Sequence, residues 1–251
     1  MTSPAARHMM RVSASETARR AAAPLRNATA YEQMLVKLAA DNRTLKQIRS
    51  NERKADKKRE LLPFYLPWVA GVLANGKGAQ DDIVMTVMLW RLDADDIAGA
   101  LEIARYALTY GLTMPTGRRP TPYLLAEEVA LAAQRLRSAK QPVELATLLD
   151  TLALTERADM PDIVRAKLHK ITGYVLRDAE QLPEALAHLQ RAIQLESAIG
   201  VRKDIEQLER QLRPKPEPAP KTKTTKPRTR KPAAKPAARR GRPPKAVKAA
   251  G

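Results

Sequence analysis

Several residue types that build particular kinds of site are absent or scarce in this chain of 251 residues. There is no cysteine, which excludes disulfide bonds and thiolate metal ligands and fits a reducing cytoplasm. Aromatic residues make up only 4% of the chain while alanine is abundant, a combination that favours packed helices over sheets. No apolar run approaches the roughly 20 residues needed to cross a bilayer, and the N-terminus lacks the apolar core of a secretion signal. We therefore expect an all-α cytoplasmic protein with no membrane partner.

The charge of the chain is distributed unevenly. The formal net charge is +18, and fourteen of the 45 Lys and Arg residues lie within residues 213–251, together with a single acid, Glu217. Nine of the 19 prolines and none of the aromatic residues lie in the same stretch. Such a segment cannot bury a core, so we expect a tail that is disordered until it binds a polyanion.

The most specific short motif of this tail is Arg240-Gly241-Arg242-Pro243, which resembles the AT-hook of minor-groove binders. Glycine lets the backbone lie against the groove floor, and the arginines extend along a narrow A·T minor groove. The sequence KPRTRKP at 226–232 is a degenerate second copy without the glycine. The alternative is a polycation without base preference. The predicted DNA-binding residues are Arg228, Arg230, Lys231, Arg239, Arg240, Gly241, Arg242, Pro243 and Lys245.

The N-terminal quarter of the chain divides into two segments. Residues 1–30 hold five arginines and almost no large apolar residue, which predicts a flexible basic arm with some nascent helix between Ser13 and Ala23, either a solubilising terminus or a DNA contact. Residues 31–62 carry apolar residues at spacings of three and four, which predicts one long helix ended by Pro63 and Pro67. Its apolar seam could dock on the same chain or form an oligomer interface. The seam residues are Met34, Leu38, Leu45 and Ile48.

Residues 63–212 are predicted to form a helical domain. Its best-patterned part runs from Gln80 to Met114 and predicts two helices, one over 82–92 and one that follows Asp95 and ends at Gly111. A weak internal repeat aligns residues 95–108 with residues 180–193. The expected fold is all-α: a long N-terminal helix plus stacked antiparallel helical hairpins, weakly tetratricopeptide-like, with a disordered basic C-terminal tail.

The block QDDIVMTVMLWRLDADDIAGALEIARYALTYGLTM at 80–114 resembles the small terminase subunit of temperate tailed bacteriophages with cohesive-end DNA packaging. The resemblance extends to MTSPAARHMMRVSA, YEQMLVKLAAD, KKRELLPFYLPWV and RAKLHKITGYVLRDAE, and covers most of residues 1–212. It implies a DNA-binding subunit that recognises concatemeric phage DNA at the cohesive-end site. It further implies recruitment of the large terminase subunit, an ATPase and nuclease, for cleavage and packaging into the prohead. The implied partners also include further copies of the chain, arranged as a ring, in the host cytoplasm.

Proteins of this family are often called terminase endonuclease subunits, so catalytic carboxylates are worth seeking. Two-metal nucleases need several convergent acids, whereas acids at helix starts usually serve as caps. We therefore expect no cofactor, and Mg²⁺ would act only if the chain is itself a metal-dependent endonuclease. A third possibility is a helical-repeat scaffold with a nucleic-acid-binding tail acting in gene control. The weak catalytic candidates are Asp81, Asp82, Asp95 and Asp96, and further acids nearby are Asp93, Glu127 and Glu128.

Overall fold

The computed structural model describes residues 3–19, 29–115, 117 and 119–213. Within these residues the chain forms ten α-helices and no strand, which confirms the all-α prediction. None of the described helices is long and apolar enough to cross a membrane. The helices are α1 (Pro4–Arg19), α2 (Ala30–Gln47), α3 (Asn51–Asn75), α4 (Asp82–Asp93), α5 (Ile97–Tyr110), α6 (Thr121–Ser138), α7 (Leu145–Thr155), α8 (Asp162–Asp178), α9 (Leu182–Leu195) and α10 (Arg202–Leu212).

The N-terminal segment contains helix α1, which packs against α2. Ala14 of α1 is buried, and Arg11 donates a hydrogen bond to Asp82 of α4 at 2.6 Å. Over residues 4–19 the structure therefore has a docked helix where the sequence predicted a flexible arm. The reason is a partner that is 71 positions away in the sequence, which the composition of the segment cannot reveal.

The long helix predicted for residues 31–62 is two helices in the structure. Helix α2 ends at Gln47, and α3 begins at Asn51 after Ser50, whose Oγ accepts a hydrogen bond from the backbone of Arg53 at 3.3 Å. Helix α3 then continues through Pro63 and Pro67, so the prediction that these prolines end the helix was wrong. Both prolines are exposed, and the carbonyls that lose a helical partner lie on the solvent side, where water can bind them.

The apolar seam of α2 packs inside the chain. Leu38 and Leu45 are each only 5% exposed and belong to the main core, and Met34 and Ile48 pack against that core. Of the two possibilities for the seam, the structure shows docking on the same chain. The two buried leucines are not available to a second subunit, because exposing them would open the core.

Helix α4 lies at the centre of the main core. Most of its side chains are buried, so the helix has almost no polar face, as its sequence predicted. Helix α5 packs against it with a stripe of buried alanines at positions 100, 104 and 107. Gly111 ends α5 in the left-handed conformation, with φ of 67°. The helical hairpin predicted within residues 80–114 is therefore confirmed.

A second, smaller core lies between α8, α9 and α10. Gly173 allows α8 to approach α9 closely, since a Cβ atom there would lie 2.7 Å from Cδ2 of the buried Leu189. Consecutive helices packed in this way fit the predicted stacking of hairpins. The tetratricopeptide-like character of that stacking stays a prediction.

Candidate nuclease residues and nucleic-acid interface

Asp81 caps the start of α4 and is only 7% exposed. Its Oδ1 accepts hydrogen bonds from the backbone N–H groups of Ile83 and Val84 at 2.8 and 2.9 Å. Its Oδ2 accepts a third hydrogen bond, from the indole N–H of Trp68, at 2.9 Å. Burial raises the pKa of Asp81 above its ordinary value, although all three hydrogen bonds favour the charged form. Both oxygens of this carboxylate are thus engaged in holding α4 and α3.

Asp82 is also buried, and it holds the N-terminal helix in place. Its Oδ2 accepts the 2.6 Å hydrogen bond from Arg11 of α1, and its Oδ1 accepts one from the side chain of Gln80 at 3.2 Å. Its backbone N–H donates to the hydroxyl of Tyr31, at the start of α2, at 3.2 Å. Burial raises the pKa of Tyr31 to about 12, so this hydroxyl is neutral at pH 7. Asp82 therefore joins α1, α2 and α4.

Asp96 has the same capping role at the start of α5. Its Oδ1 accepts a hydrogen bond from the backbone of Gly99 at 2.9 Å, and its Oδ2 forms an ion pair with Arg91 at 2.8 Å. The local sequence explains this arrangement, because aspartate is among the most favourable residues at the N-terminal cap of a helix.

The other acids of the turn between α4 and α5 are paired with cations from neighbouring helices. Asp93 forms an ion pair with Lys58 of α3. Asp95, which has φ of 65°, forms ion pairs with Arg135 of α6 at 3.0 Å and with Arg59 of α3 at 3.4 Å. These ion pairs fasten the turn to two helices that flank it.

The candidate catalytic acids form two separate pairs. Asp81 and Asp82 begin α4, and Asp95 and Asp96 follow its end, so a helix about 18 Å long separates the two pairs. Among the residues that the structure describes, no group of three or more His, Asp and Glu side chains is arranged to hold a metal ion. Each of the four candidates is a helix cap or an ion-pair partner.

Glu127 and Glu128, the two further acids noted in the sequence, lie on α6. Glu127 forms an ion pair with Arg119. Glu128 is partly buried, and burial, followed by the charges of Asp93 and Glu127, raises its pKa above the ordinary value. A carboxyl group with a raised pKa occurs in structural ion-pair networks as well as in catalytic sites, so the raised pKa of Glu128 does not by itself identify a catalytic residue.

The nine DNA-binding residues predicted between Arg228 and Lys245 lie outside the described residues. The described part of the chain offers a different cationic surface, at the joint between α2 and α3. We call it the basic corner, and it consists of Lys46, Arg49, Arg53 and Lys54. Arg49 and Arg53 line the same open cleft.

The cations of the basic corner differ from their neighbours on α3 in having no counter-charge. Lys57, Lys58 and Arg59 each form an ion pair with an acid. Within the described ranges, none of the four side chains of the basic corner has a hydrogen-bond or ion-pair partner. Sequence reasoning missed this surface because the run after Ile48 looked like an ordinary solvated face. The available signal was seven cations against two acids between positions 46 and 59.

Comparison with known proteins identifies the family. The family model described as phage small terminase subunit matches residues 35–163, just over half of the chain. The chain belongs to the phage small terminase subunit family. This confirms the resemblance noted in the sequence and gives this small terminase subunit a terminase role in phage genome packaging. The matched residues include the basic corner, α3 and the hairpin of α4 and α5.

Two relatives of this small terminase subunit carry the endonuclease name. It is 68% identical over 246 residues to the terminase, endonuclease subunit of Escherichia phage P2, an alignment that covers 98% of this chain and 99% of that protein. It is 27% identical over 191 residues to the probable terminase, endonuclease subunit of Haemophilus phage HP1 (strain HP1c1), covering 70% and 68% of the two chains. No solved structure matches this small terminase subunit.

Proposed function

We propose that this chain is the DNA-recognising subunit of its terminase. It binds concatemeric phage DNA at the cohesive-end site and recruits the large terminase subunit, which cleaves the DNA and packages it into the prohead in the host cytoplasm. The observation that carries the proposal is the basic corner, because surface cations without counter-charges gain free energy when they replace the counterions of phosphates. The Lys- and Arg-rich segment 213–251 carries fourteen further cations.

The two basic regions have different tasks in this proposal. The basic corner lies on a fixed part of the fold, so it positions the duplex by contacts to the phosphate backbone. The tail supplies loose electrostatic affinity, and Arg240 and Arg242 flank a glycine that lets them enter an A·T minor groove. Recognition of the cohesive-end site then combines backbone positioning with groove preference.

We also propose that the chain acts as a homo-oligomer, in the ring arrangement that the family resemblance implies. One chain offers a single basic corner and a single tail, whereas several linked copies bind DNA with much higher avidity than one. A closed assembly also presents a repeated surface to the large terminase subunit.

Neutralisation of the basic corner tests the proposal. Changing Lys46, Arg49, Arg53 and Lys54 together to glutamine removes four positive charges and leaves the helices intact, because glutamine is a good helix former. Duplex binding measured by fluorescence anisotropy should weaken, and the slope of log affinity against log salt should fall by about 0.9 for each phosphate that the variant no longer neutralises. Circular dichroism should show unchanged helicity.

The matched control removes four cations from other parts of the body. Arg157, Lys167, Lys203 and Arg210 are exposed and are changed together to glutamine. The slope of log affinity against log salt should stay close to the wild-type slope in this control variant, because the variant loses net charge but no proposed DNA contact. Equal slopes for the two variants would show that the basic corner is not a DNA contact.

A second experiment addresses the tail. Deleting residues 214–251 should flatten the salt slope further, and Gly241→Ala should weaken binding to A·T-rich duplexes while leaving G·C-rich binding nearly unchanged. The added methyl group obstructs the groove floor but keeps every charge. An equal decrease in affinity for both duplexes would contradict binding in the A·T groove and leave a polycation without base preference.

A metal-dependent endonuclease that cuts the cohesive-end site itself is the second candidate function. The observation that favours it is the name of the phage P2 relative, terminase, endonuclease subunit, at 68% identity. Purified chain is mixed with Mg²⁺ and cohesive-end DNA in the absence of the large subunit. Nicking that needs Mg²⁺ would establish this second function, whereas cleavage only after the large subunit is added supports the first.

A further inference from the structure

The second half of α3 carries an apolar surface on its solvent side. We call it the outer stripe, and its members are the exposed residues Pro63, Phe64, Pro67, Ala70, Gly71 and Ala74. Pro63, Pro67, Ala70 and Ala74 follow one another at spacings of four, three and four, and Phe64 and Gly71 lie beside them, so the six residues share one face of the helix over about 17 Å. Phe64 is the only phenylalanine of the chain and is 54% exposed, although Lys37 lies over its ring at 4.9 Å. A contiguous exposed apolar surface of this kind marks an interaction site.

Among the residues that the structure describes, apart from Lys37 over Phe64, the fold of a single chain does not use this surface. Helix α3 faces the core with Leu62, Tyr65 and Val69, on the side opposite to the outer stripe. A Cβ atom at Gly71 would meet nothing within 4 Å in the described part of the chain, and its backbone is helical. Glycine inside a helix is destabilising relative to alanine. A partner that approaches α3 closely at this point explains the absence of a side chain.

The outer stripe is complementary to itself. Its first half is bulky, with Pro63 and Phe64, and its second half is small, with Ala70 and Gly71. When two copies of α3 pack antiparallel about a two-fold axis at Pro67, the bulky half of each copy faces the small half of the other. A two-fold interface requires this property, because the same patch must fit against itself. We propose that a second copy of this chain covers the outer stripe in this antiparallel arrangement.

Charges at the two ends of the stripe favour the same arrangement. The side chain of Glu60, one turn before the stripe, is 64% exposed and forms an ion pair with Lys57 at 2.6 Å, so one of its oxygens faces solvent. Lys77 follows the end of α3, is exposed, and has no ion-pair partner among the residues described here. Antiparallel packing brings Glu60 of each chain to the end of the other chain's α3, where Lys77 follows. Parallel packing would instead bring the two copies of Lys77 together, and these cations have no counter-charge in the described part of the chain, so the contact is repulsive.

This inference deepens the self-association proposed above by assigning a surface to it. A two-fold contact joins chains in pairs, so a closed assembly in which every chain is paired contains an even number of chains. A ring built from such pairs and two rings stacked through α3 both meet this condition. Native mass spectrometry of the full chain measures the number of chains in the assembly directly.

The absence of cysteine makes site-specific cross-linking a direct test of the geometry. Glu60→Cys, Pro67→Cys and Ala74→Cys are made singly in the full chain and treated with a short bismaleimide, with Glu102→Cys on the exposed side of α5 as control. Pro67→Cys should cross-link to a dimer. Glu60→Cys alone should not, because the two copies of this position lie about 21 Å apart. A mixture of the Glu60→Cys and Ala74→Cys chains should cross-link efficiently.

Two cross-linking results would overturn the proposal. Equal dimer formation at positions 60, 67 and 74 by each variant alone would show parallel packing. Dimer formation no greater than that of the Glu102→Cys control would show that α3 is not at an interface.

Gly71→Leu tests the same surface without a chemical cross-linker. In a single chain the new side chain points into open space, so helicity and thermal stability should be retained. In the pair it occupies the space that receives Pro63 of the second copy, and sedimentation equilibrium should show a mass below that of the wild type. Glu102→Leu, which adds the same side chain to an exposed site on α5, should keep the wild-type mass.

The mass measurements also separate this inference from the proposal that it deepens. An oligomeric wild type whose mass Gly71→Leu leaves unchanged would overturn the role of α3 and leave self-association standing. A wild-type chain that is monomeric at tens of micromolar would overturn both.

Discussion

Replacing Asp81 by alanine distinguishes a structural from a catalytic role for the buried carboxylate that caps α4. The substitution removes the N-cap hydrogen bonds, which costs about 0.5–2 kcal/mol, and leaves the indole N–H of Trp68 without its acceptor, which costs about 1–3 kcal/mol. Because burial raises the pKa of Asp81, alanine recovers part of the cost of burying this carboxyl. We therefore expect the free energy of unfolding to fall by about 2–4 kcal/mol in total.

Urea unfolding followed by circular dichroism at pH 7 measures this change in the full chain. Trp68→Phe is the matched second variant, since it keeps a large ring and removes the indole donor. In the Asp81→Ala background this change should cost less than in the wild type, because it removes the indole N–H that the first substitution leaves without an acceptor. The double-mutant cycle should give a coupling energy of about 1–2 kcal/mol.

DNA cleavage is measured with the holoenzyme, which contains the large terminase subunit, on cohesive-end DNA. At a temperature where the Asp81→Ala chain is folded, cleavage should continue at a rate close to that of the wild type. Loss of cleavage with an unchanged free energy of unfolding would refute the capping role and favour the endonuclease alternative.

Three further predictions follow from buried contacts elsewhere in the chain. Asp82→Asn should accelerate amide hydrogen exchange in α1 while α4 keeps its protection, and unchanged exchange in α1 would contradict the anchoring role. Gly173→Val should lower the free energy of unfolding by about 1–3 kcal/mol, measured in urea, because its side chain overlaps Leu189. Burial and the neighbouring His188, whose Nδ1 lies 3.1 Å away, lower the pKa of His169 to about 4. Since this folded pKa lies below the unfolded value of about 6.5, the melting temperature should fall as the pH drops from about 6.5 to about 4, and His169→Gln should reduce that fall.

The hairpin of α4 and α5 was predictable because its signals are local. A nearly continuous apolar run predicts a buried helix, and acids before each helix together with a glycine after the second predict its ends. Asp81 and Asp96 are indeed N-caps, and Gly111 is in the left-handed conformation. All of these features depend on residues within one turn of each other.

The features that the sequence did not predict depend on distant partners or on exposure. The docking of α1 depends on Arg11 and Asp82, which are far apart in the chain. The passage of α3 through Pro63 and Pro67 is tolerated because both face solvent, which a pattern of residue types does not report. The basic corner became visible only when the ion pairs of the neighbouring cations were known.

Because α3 continues without a break through its two prolines, it holds the surfaces at its two ends at a fixed distance. The helix has 25 residues, and so it is about 37 Å long. It carries the basic corner at its start and the outer stripe in its second half, which fixes the distance between the two surfaces. In the proposed pair the two copies of Arg53 lie about 42 Å apart along the helix axes, which corresponds to about 12 base pairs of B-DNA. Footprinting of the paired chain should then show two groups of protected phosphates separated by slightly more than one turn of the duplex.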